Sequence, residues 1–368
     1  MKICVVNPFE HGGGAEYQTS LLIEALGAGR DVTYLTHFAD RRPRARSYRI
    51  EVVGDGGPIP RVGYLAEARS LYRKLEKIGP DVIYQRVACA YTGVCAYYSR
   101  RHSVPMIWHV CHEAEVAPRM LERVRNMPRQ WIETRAVAYG ARRATRIVVQ
   151  TERQAELLRE NYGRAADAVI PNFHPPAREA IDKSGPFTVL WVANLKTWKQ
   201  PDAFVRLAAR FASRSDIRFV MIGAPAAATG NHAWREALMR GIEQTGNLEY
   251  LGERPQAEVN ELLARAHVFV NTSKAEGFPN TFIQAWMRDA AVVSLCVDPD
   301  GVLEREGLGI AAGTEDRLAA AISRLSADRE ALAGYARRAR AHVAAHHSLE
   351  NARRLVELLD AEARGTHG

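Results

Sequence analysis

Apolar residues recur along the chain in two alternating registers. Short continuous runs rich in β-branched residues occupy the first half: KICVV (2–6), DVTYLT (31–36), DVIYQR (81–86), MIWHV (106–110) and RIVVQ (146–150). Longer stretches of helical periodicity separate them. The scheme then repeats with FTVLWVA (187–193), IRFVMIG (217–223), LEYLG (248–252), HVFVN (267–271) and AVVSL (291–295). Continuous apolar runs of strand length between helix-length segments predict parallel sheets buried on both faces. Two such sets predict an α/β chain of two doubly wound, Rossmann-like domains.

The alternation breaks once, at AVIPNFHPPAREAIDKSGPF (168–187), where four prolines and Gly185 interrupt any helix. The expected organisation is an N-terminal domain at 1–172, a hinge at 173–186 and a C-terminal domain at 187–345. A helical tail at 346–368, rich in Ala, Arg, Glu and Leu, is expected to pack back on the N-terminal domain. The length agrees, because 368 residues exceed one ordinary core. Ligands of open α/β sheets bind beyond the carboxyl ends of the strands, so two such domains are expected to face each other across a cleft.

Composition adds a little. Lys and Arg number 50 against 42 Asp and Glu, which points to an anionic partner. The five cysteines are scattered with no C-x-x-C pair, as in a reduced, cytoplasmic protein. No signal-peptide h-region opens the chain and no apolar window is long enough to span a bilayer.

Three segments at strand ends carry candidate chemistry. NPFEHGGGAE (7–16) follows the first strand, and Gly13 and Gly14 let backbone approach a ligand. The segment is not G-x-G-x-x-G, and no acidic residue ends the second strand where a dinucleotide ribose would need one, which disfavours a dehydrogenase. In WVANLKTWKQPDAF (191–204), Lys196 and Lys199 leave a strand just ahead of a helix opened by Pro201, two cations suited to a diphosphate. In KAEGFPNTFIQAWM (274–287), a loop with Glu276 precedes a helix whose buried side is Phe282, Ala285 and Trp286. Helix-start amides near Asn280 and Thr281 suit phosphate, and Glu276 can accept from two neighbouring hydroxyls. Phosphate beside hydroxyls describes a nucleotide sugar.

EGFPN, AWM and AVVS, together with GGAE (13–16), DVIYQR, VIPN (169–172) and NLEYLG in that order, resemble the retaining family 4 glycosyltransferases of the GT-B fold, of the bacterial polysaccharide and glycolipid type. The resemblance covers nearly the whole chain. It implies a retaining, metal-independent hexosyltransferase that moves a sugar from a UDP- or GDP-sugar to a hydroxyl of a glycan or lipid-linked glycan, with the acceptor on the N-terminal domain. It also implies roles. Glu276 binds donor-sugar hydroxyls, Lys199 grips the diphosphate, and His112 with Glu113 reaches the sugar, His109 being a poorer match. Gly277, Phe278, Pro279, Asn280 and Thr281 belong to the donor loop.

Two positions depart from the family pattern. The second glutamate of the family's Glu-x7-Glu pair, which holds the ribose, is Gln284 here, and the usual phosphate arginine is Asn194, leaving Lys196 to stand in. A neutral amide still binds a diol, at a cost on the order of 1 to 2 kcal/mol. These departures keep open a non-catalytic scaffold that has lost donor binding, and a GT-B nucleotide-sugar epimerase, which would use the same cleft without an acceptor, is the other alternative. Asp298-Pro299-Asp300 resembles a D-x-D metal site, but with lysines supplying the charge no metal and no other cofactor is expected.

Residues 119–146 hold eight arginines and two glutamates with Met120, Leu121, Met127, Trp131 and Ile132 interleaved. This composition suits either a solvated helix face or the anionic inner leaflet of the cytoplasmic membrane. No zinc knuckle or aromatic RNA motif accompanies the arginines, so nucleic acid is not an expected partner.

Overall fold

The computed structural model describes residues 1–39, 47–54, 56–57, 63–117, 128–225 and 232–365. The chain divides into two compact units, residues 1–173 with 349–368, and residues 174–348. The first holds seven parallel strands: β1 (Lys2–Val6), β2 (Asp31–Thr36), β3 (Arg49–Val52), β4 (Val82–Arg86), β5 (Met106–His109), β6 (Arg146–Val149) and β7 (Ala168–Val169). Their order is β3-β2-β1-β4-β5-β6-β7, so the direction of winding reverses between β1 and β4. Helices α1 (Gly14–Leu26), α2 (Ala68–Ile78), α3 (Ala90–His102), α4 (Pro128–Arg143) and α5 (Glu152–Tyr162) accompany them.

Alternate strand residues serve opposite faces. Cys4, Val6, Ile83 and Trp108 pack with Leu71, Leu75, Tyr91 and Cys95 of α2 and α3. Ile3, Val5, Tyr84 and Ile107 pack on the other side with Leu22 and Ile23 of α1. Burial on both faces is why these strands read as continuous apolar runs. Helices α3 and α4 meet at Gly93, where a Cβ would lie 2.6 Å from the Ala136 carbonyl oxygen.

The second unit repeats the plan with β8 (Phe187–Val192), β9 (Ile217–Ile222), β10 (Leu248–Tyr250), β11 (Val268–Asn271), β12 (Ala291–Ser294) and β13 (Gly309–Ala311), all parallel and ordered β10-β9-β8-β11-β12-β13. Its helices are α6 (Pro201–Ala209), α7 (His232–Gln244), α8 (Gln256–Arg265), α9 (Asn280–Trp286), α10 (Val302–Arg305), α11 (Glu315–Ala327) and α12 (Arg329–His346). The winding reverses between β8 and β11, and their carboxyl ends are where a ligand is expected.

Of the stretch 173–186, read from sequence as a hinge, Phe173 belongs to the first unit and residues 174–186 to the second. It is strapped there by Asp182 N–H to Ala264 O (3.2 Å), by Lys183 Nζ to the carbonyls of Leu263 and Ala266, and by the Glu179–Arg288 ion pair (2.7 Å). A cation among the last carbonyls of α8 is favourably placed. The final helix, α13 (Glu350–Gly365), returns to the first unit, where Ala352, Leu355, Leu359 and Ala363 join the core beside β1 and β4. Arg30 grips Asp360 through two hydrogen bonds of 3.1 and 2.6 Å.

Candidate functional site

The switch point of the second unit brings together side chains that lie far apart in sequence. After β8 the chain makes a tight turn, with Lys196 N–H donating to Asn194 O at 2.7 Å, then a 3₁₀ turn over Thr197–Lys199. Gln200 follows in the left-handed region (φ 47°) and Pro201 opens α6. After β11, Lys274 N–H donates to Trp198 O at 2.8 Å, which lays the 272–279 loop against the lysine turn. Lys199 Nζ and the Glu276 carboxylate meet as an ion pair, both largely shielded from solvent. Lys196 extends its ammonium over the exposed Trp198 ring, 4.9 Å from the centroid.

A buried relay fixes the backbone of that turn. Trp191 Nε1 donates to Thr272 Oγ1 at 2.9 Å, and the Thr272 hydroxyl donates to Lys199 O at 2.7 Å. Thr272 is fully buried, so this carbonyl is held from inside the unit. Sequence reasoning missed this support, since a threonine after a strand carries no signal of its own.

The loop at 274–281 is divided in its orientation. Phe278 is turned inward, its ring 6.1 Å from Trp286 and 4.5 Å from His347, so the side chain serves packing. Gly277 and Pro279 are buried, and Asn280 and Thr281 are half-buried at the start of α9. Asn280 Oδ1 accepts from His174 Nε2 at 3.0 Å. Gln284 is buried on α9.

In the first unit, Gly13 precedes α1 with extended backbone (φ −147°), and a Cβ there would lie 2.5 Å from Glu16 Oε2. Gly14 is the first residue of α1 and both glycines are exposed. His112 caps a 3₁₀ turn over Glu113–Glu115, its Nδ1 accepting from Ala114 N–H at 2.9 Å, which places the proton of the neutral ring on Nε2. His109 is different: it is buried on β5, bonded to Tyr84 Oη at 2.8 Å, and burial followed by the charge of Arg86 holds its pKa well below the ordinary value. At the end of β4, Val87 adopts φ 56°, a strained position for a β-branched residue. Gln85 Nε2 to Val87 O (2.8 Å) and Ala88 N–H to Glu115 (2.9 Å) hold it.

Asp298 is committed to structure. Its carboxylate accepts from the N–H groups of Leu303 (2.8 Å) and Glu304 (3.4 Å) at α10, and burial raises its pKa. Of the basic stretch, residues 119–127 lie outside the described residues, including Met120, Leu121 and Met127. The remainder forms α4, where Trp131 is exposed beneath the Arg135 guanidinium (4.7 Å) and Glu133 turns inward to accept from Tyr64 and Ala90 N–H. Cys4, Cys89 and Cys95 are buried, Cys111 is half-buried and Cys296 exposed, all as free thiols.

Two parallel-sheet units with helices on both faces define the class, the GT-B fold. HepE of Anabaena, solved in complex with UDP and glucose, matches 98% of this chain and 100% of its own at TM-score 0.78 and 18% identity. WaaG, a glycosyltransferase involved in lipopolysaccharide biosynthesis, matches 97% and 99% at TM-score 0.77 and 15% identity. Sucrose-phosphate synthase from Thermosynechococcus elongatus matches 97% and 98% at 0.76 and 17%. No curated protein sequence matches the chain. Residues 12–178 match the family model described as Glycosyltransferase Family 4, and residues 186–328 the one described as Glycosyl transferases group 1. The chain belongs to the family 4-type glycosyltransferases.

Proposed function

We propose that the chain is a retaining hexosyltransferase that needs no metal ion and carries a sugar from a UDP- or GDP-sugar to a hydroxyl of a glycan or lipid-linked glycan, in the making of surface polysaccharide or glycoconjugate. The observation that carries this reading is the Lys199–Glu276 pair at the carboxyl ends of β8 and β11. A diphosphate leaving group needs positive charge where it departs, and a sugar needs paired hydroxyl acceptors; the two side chains supply one each. On donor binding, Lys199 exchanges the carboxylate for phosphate oxygens and Glu276 turns to two sugar hydroxyls. Lys196 adds a second cation, Asn194 contributes an amide, and Gln284 meets the ribose. Gly13, Gly14 and the Gly277–Thr281 turn contribute backbone contacts, and His112 donates from Nε2 to a sugar hydroxyl.

The bond from the anomeric carbon to the diphosphate breaks with its electron pair leaving on phosphate. The acceptor oxygen bonds to the same face, and its proton passes to the departing phosphate. No protein nucleophile is assigned. HepE was solved with UDP, and UDP-glucose is therefore the first donor to try.

Lys199→Ala and Glu276→Ala are each expected to lower transfer by about 10²-fold or more, with unchanged circular dichroism and with wild-type turnover insensitive to EDTA. Near-normal turnover in both variants contradicts the reading. The protein is further proposed to work in the cytoplasm, at an anionic inner-leaflet surface met through 119–146, with Trp131 and Arg135 in contact. Flotation with anionic but not neutral vesicles is expected, and equal, negligible flotation with both removes the membrane partner.

A further inference from the structure

The donor loop leads into a helix too short to hold itself. Helix α9 has seven residues, and Pro279 before it gives no side-chain cap, so its placement depends on neighbours. Two histidines provide them, one at each place where the chain passes between units. His174 is the first residue of the second unit, and His347 precedes its last, Ser348. His174 Nε2–H donates to Asn280 Oδ1 at 3.0 Å. The His347 ring covers Phe278 at 4.5 Å and stands 6.4 Å from Trp286. His174 N–H also donates to His347 O at 3.0 Å, so the two form one brace. Both are buried, at 4% and 1% exposure, where neither touches solvent enough to serve as a surface ligand.

We propose that His174 and His347 are positioning residues for the donor: through Asn280 and Phe278 they hold the Gly277–Asn280 turn in the conformation that a nucleoside diphosphate sugar requires. The inference rests on the function proposed above and deepens it. Neither histidine touches the sugar or the diphosphate. Burial, with the Asn280 contact opposing it, depresses the pKa of His174 to about 4, so the ring is neutral at physiological pH and acts by its hydrogen bond rather than its charge.

The test uses the full chain and two readouts. Hydrogen exchange of the free protein reports loop order without a ligand, and calorimetric titration with UDP-glucose and GDP-mannose reports donor binding. His174→Phe keeps a ring but loses the donor, and is expected to speed exchange at 277–284 while leaving β8 unchanged and to weaken the bound donor about tenfold. His174→Gln, which restores an N–H near Nε2, is expected to return both toward wild type. Unchanged exchange in the Phe variant, unchanged donor affinity, or failure of Gln to rescue overturns the inference. If the Phe variant does not fold, Asn280→Leu breaks the same hydrogen bond from the other side and is read in the same way. Wild-type protein that binds neither donor, while the exchange difference persists, contradicts the proposed function and leaves the brace standing.

Discussion

His267 joins three segments of the second unit. Its Nδ1 accepts from Thr188 N–H at 3.1 Å, its Nε2 donates to Lys183 O at 3.1 Å, and its ring stacks on Phe187 at 5.0 Å. Burial first, then the charge of Arg329, lowers its pKa from 6.5 to about 4. Above the unfolded value the ring is neutral in both states and the fold keeps its full stability. As pH falls from 6.5 toward 4, the unfolded chain takes a proton that the fold refuses, and stability declines. His174 titrates in the same sense. Melting temperatures between pH 7.5 and 4.5 are expected to fall in wild type and to fall less steeply in His267→Gln; equal slopes contradict the assignment. At this scale the sequence revealed what a local motif contains. Lys199 and Glu276 stand in recognisable segments, whereas His174 and Thr272 act on partners 106 and 73 positions away, a relation no spacing encodes. Phe278 stands in the same loop as Glu276, and its ring packs into the core.

Elements were legible where their burial is one-sided or complete. The ten apolar runs fall on β1, β2, β4, β5, β6, β8, β9, β10, β11 and β12. The strands without such a run, β3, β7 and β13, are edge strands of four, two and three residues, too short or too exposed to show one. Helix α13 shows its role through spacing, because Ala352, Leu355, Leu359 and Ala363 recur on one face and that face is buried against α1 and β4. Leu359 is fully buried, and Leu359→Ala is expected to destabilise the first unit by about 2 to 5 kcal/mol. Urea unfolding measures it. A change below about 0.5 kcal/mol, the range of a surface substitution, contradicts a core role for this helix.

For the whole molecule, two windings of the same plan place one switch point in each unit, between β1 and β4 and between β8 and β11. Alternating apolar runs sufficed to anticipate both sheets, because a parallel sheet covered on both faces leaves few other patterns. The limits of the units were less legible. Proline and glycine marked 173–186 as a break, yet its backbone and Lys183 are tied to α8, contacts that depend on tertiary placement. The central claim is that the β8–β11 switch point of the second unit holds a nucleoside diphosphate sugar through Lys199. Thermal unfolding of wild type and Lys199→Ala against a panel of UDP- and GDP-sugars tests it most directly. At least one sugar nucleotide, at about a hundred times its Kd, is expected to stabilise wild type by about 3 kcal/mol and to leave the variant almost unmoved. No shift with any of them, or an equal shift in both proteins, would contradict it.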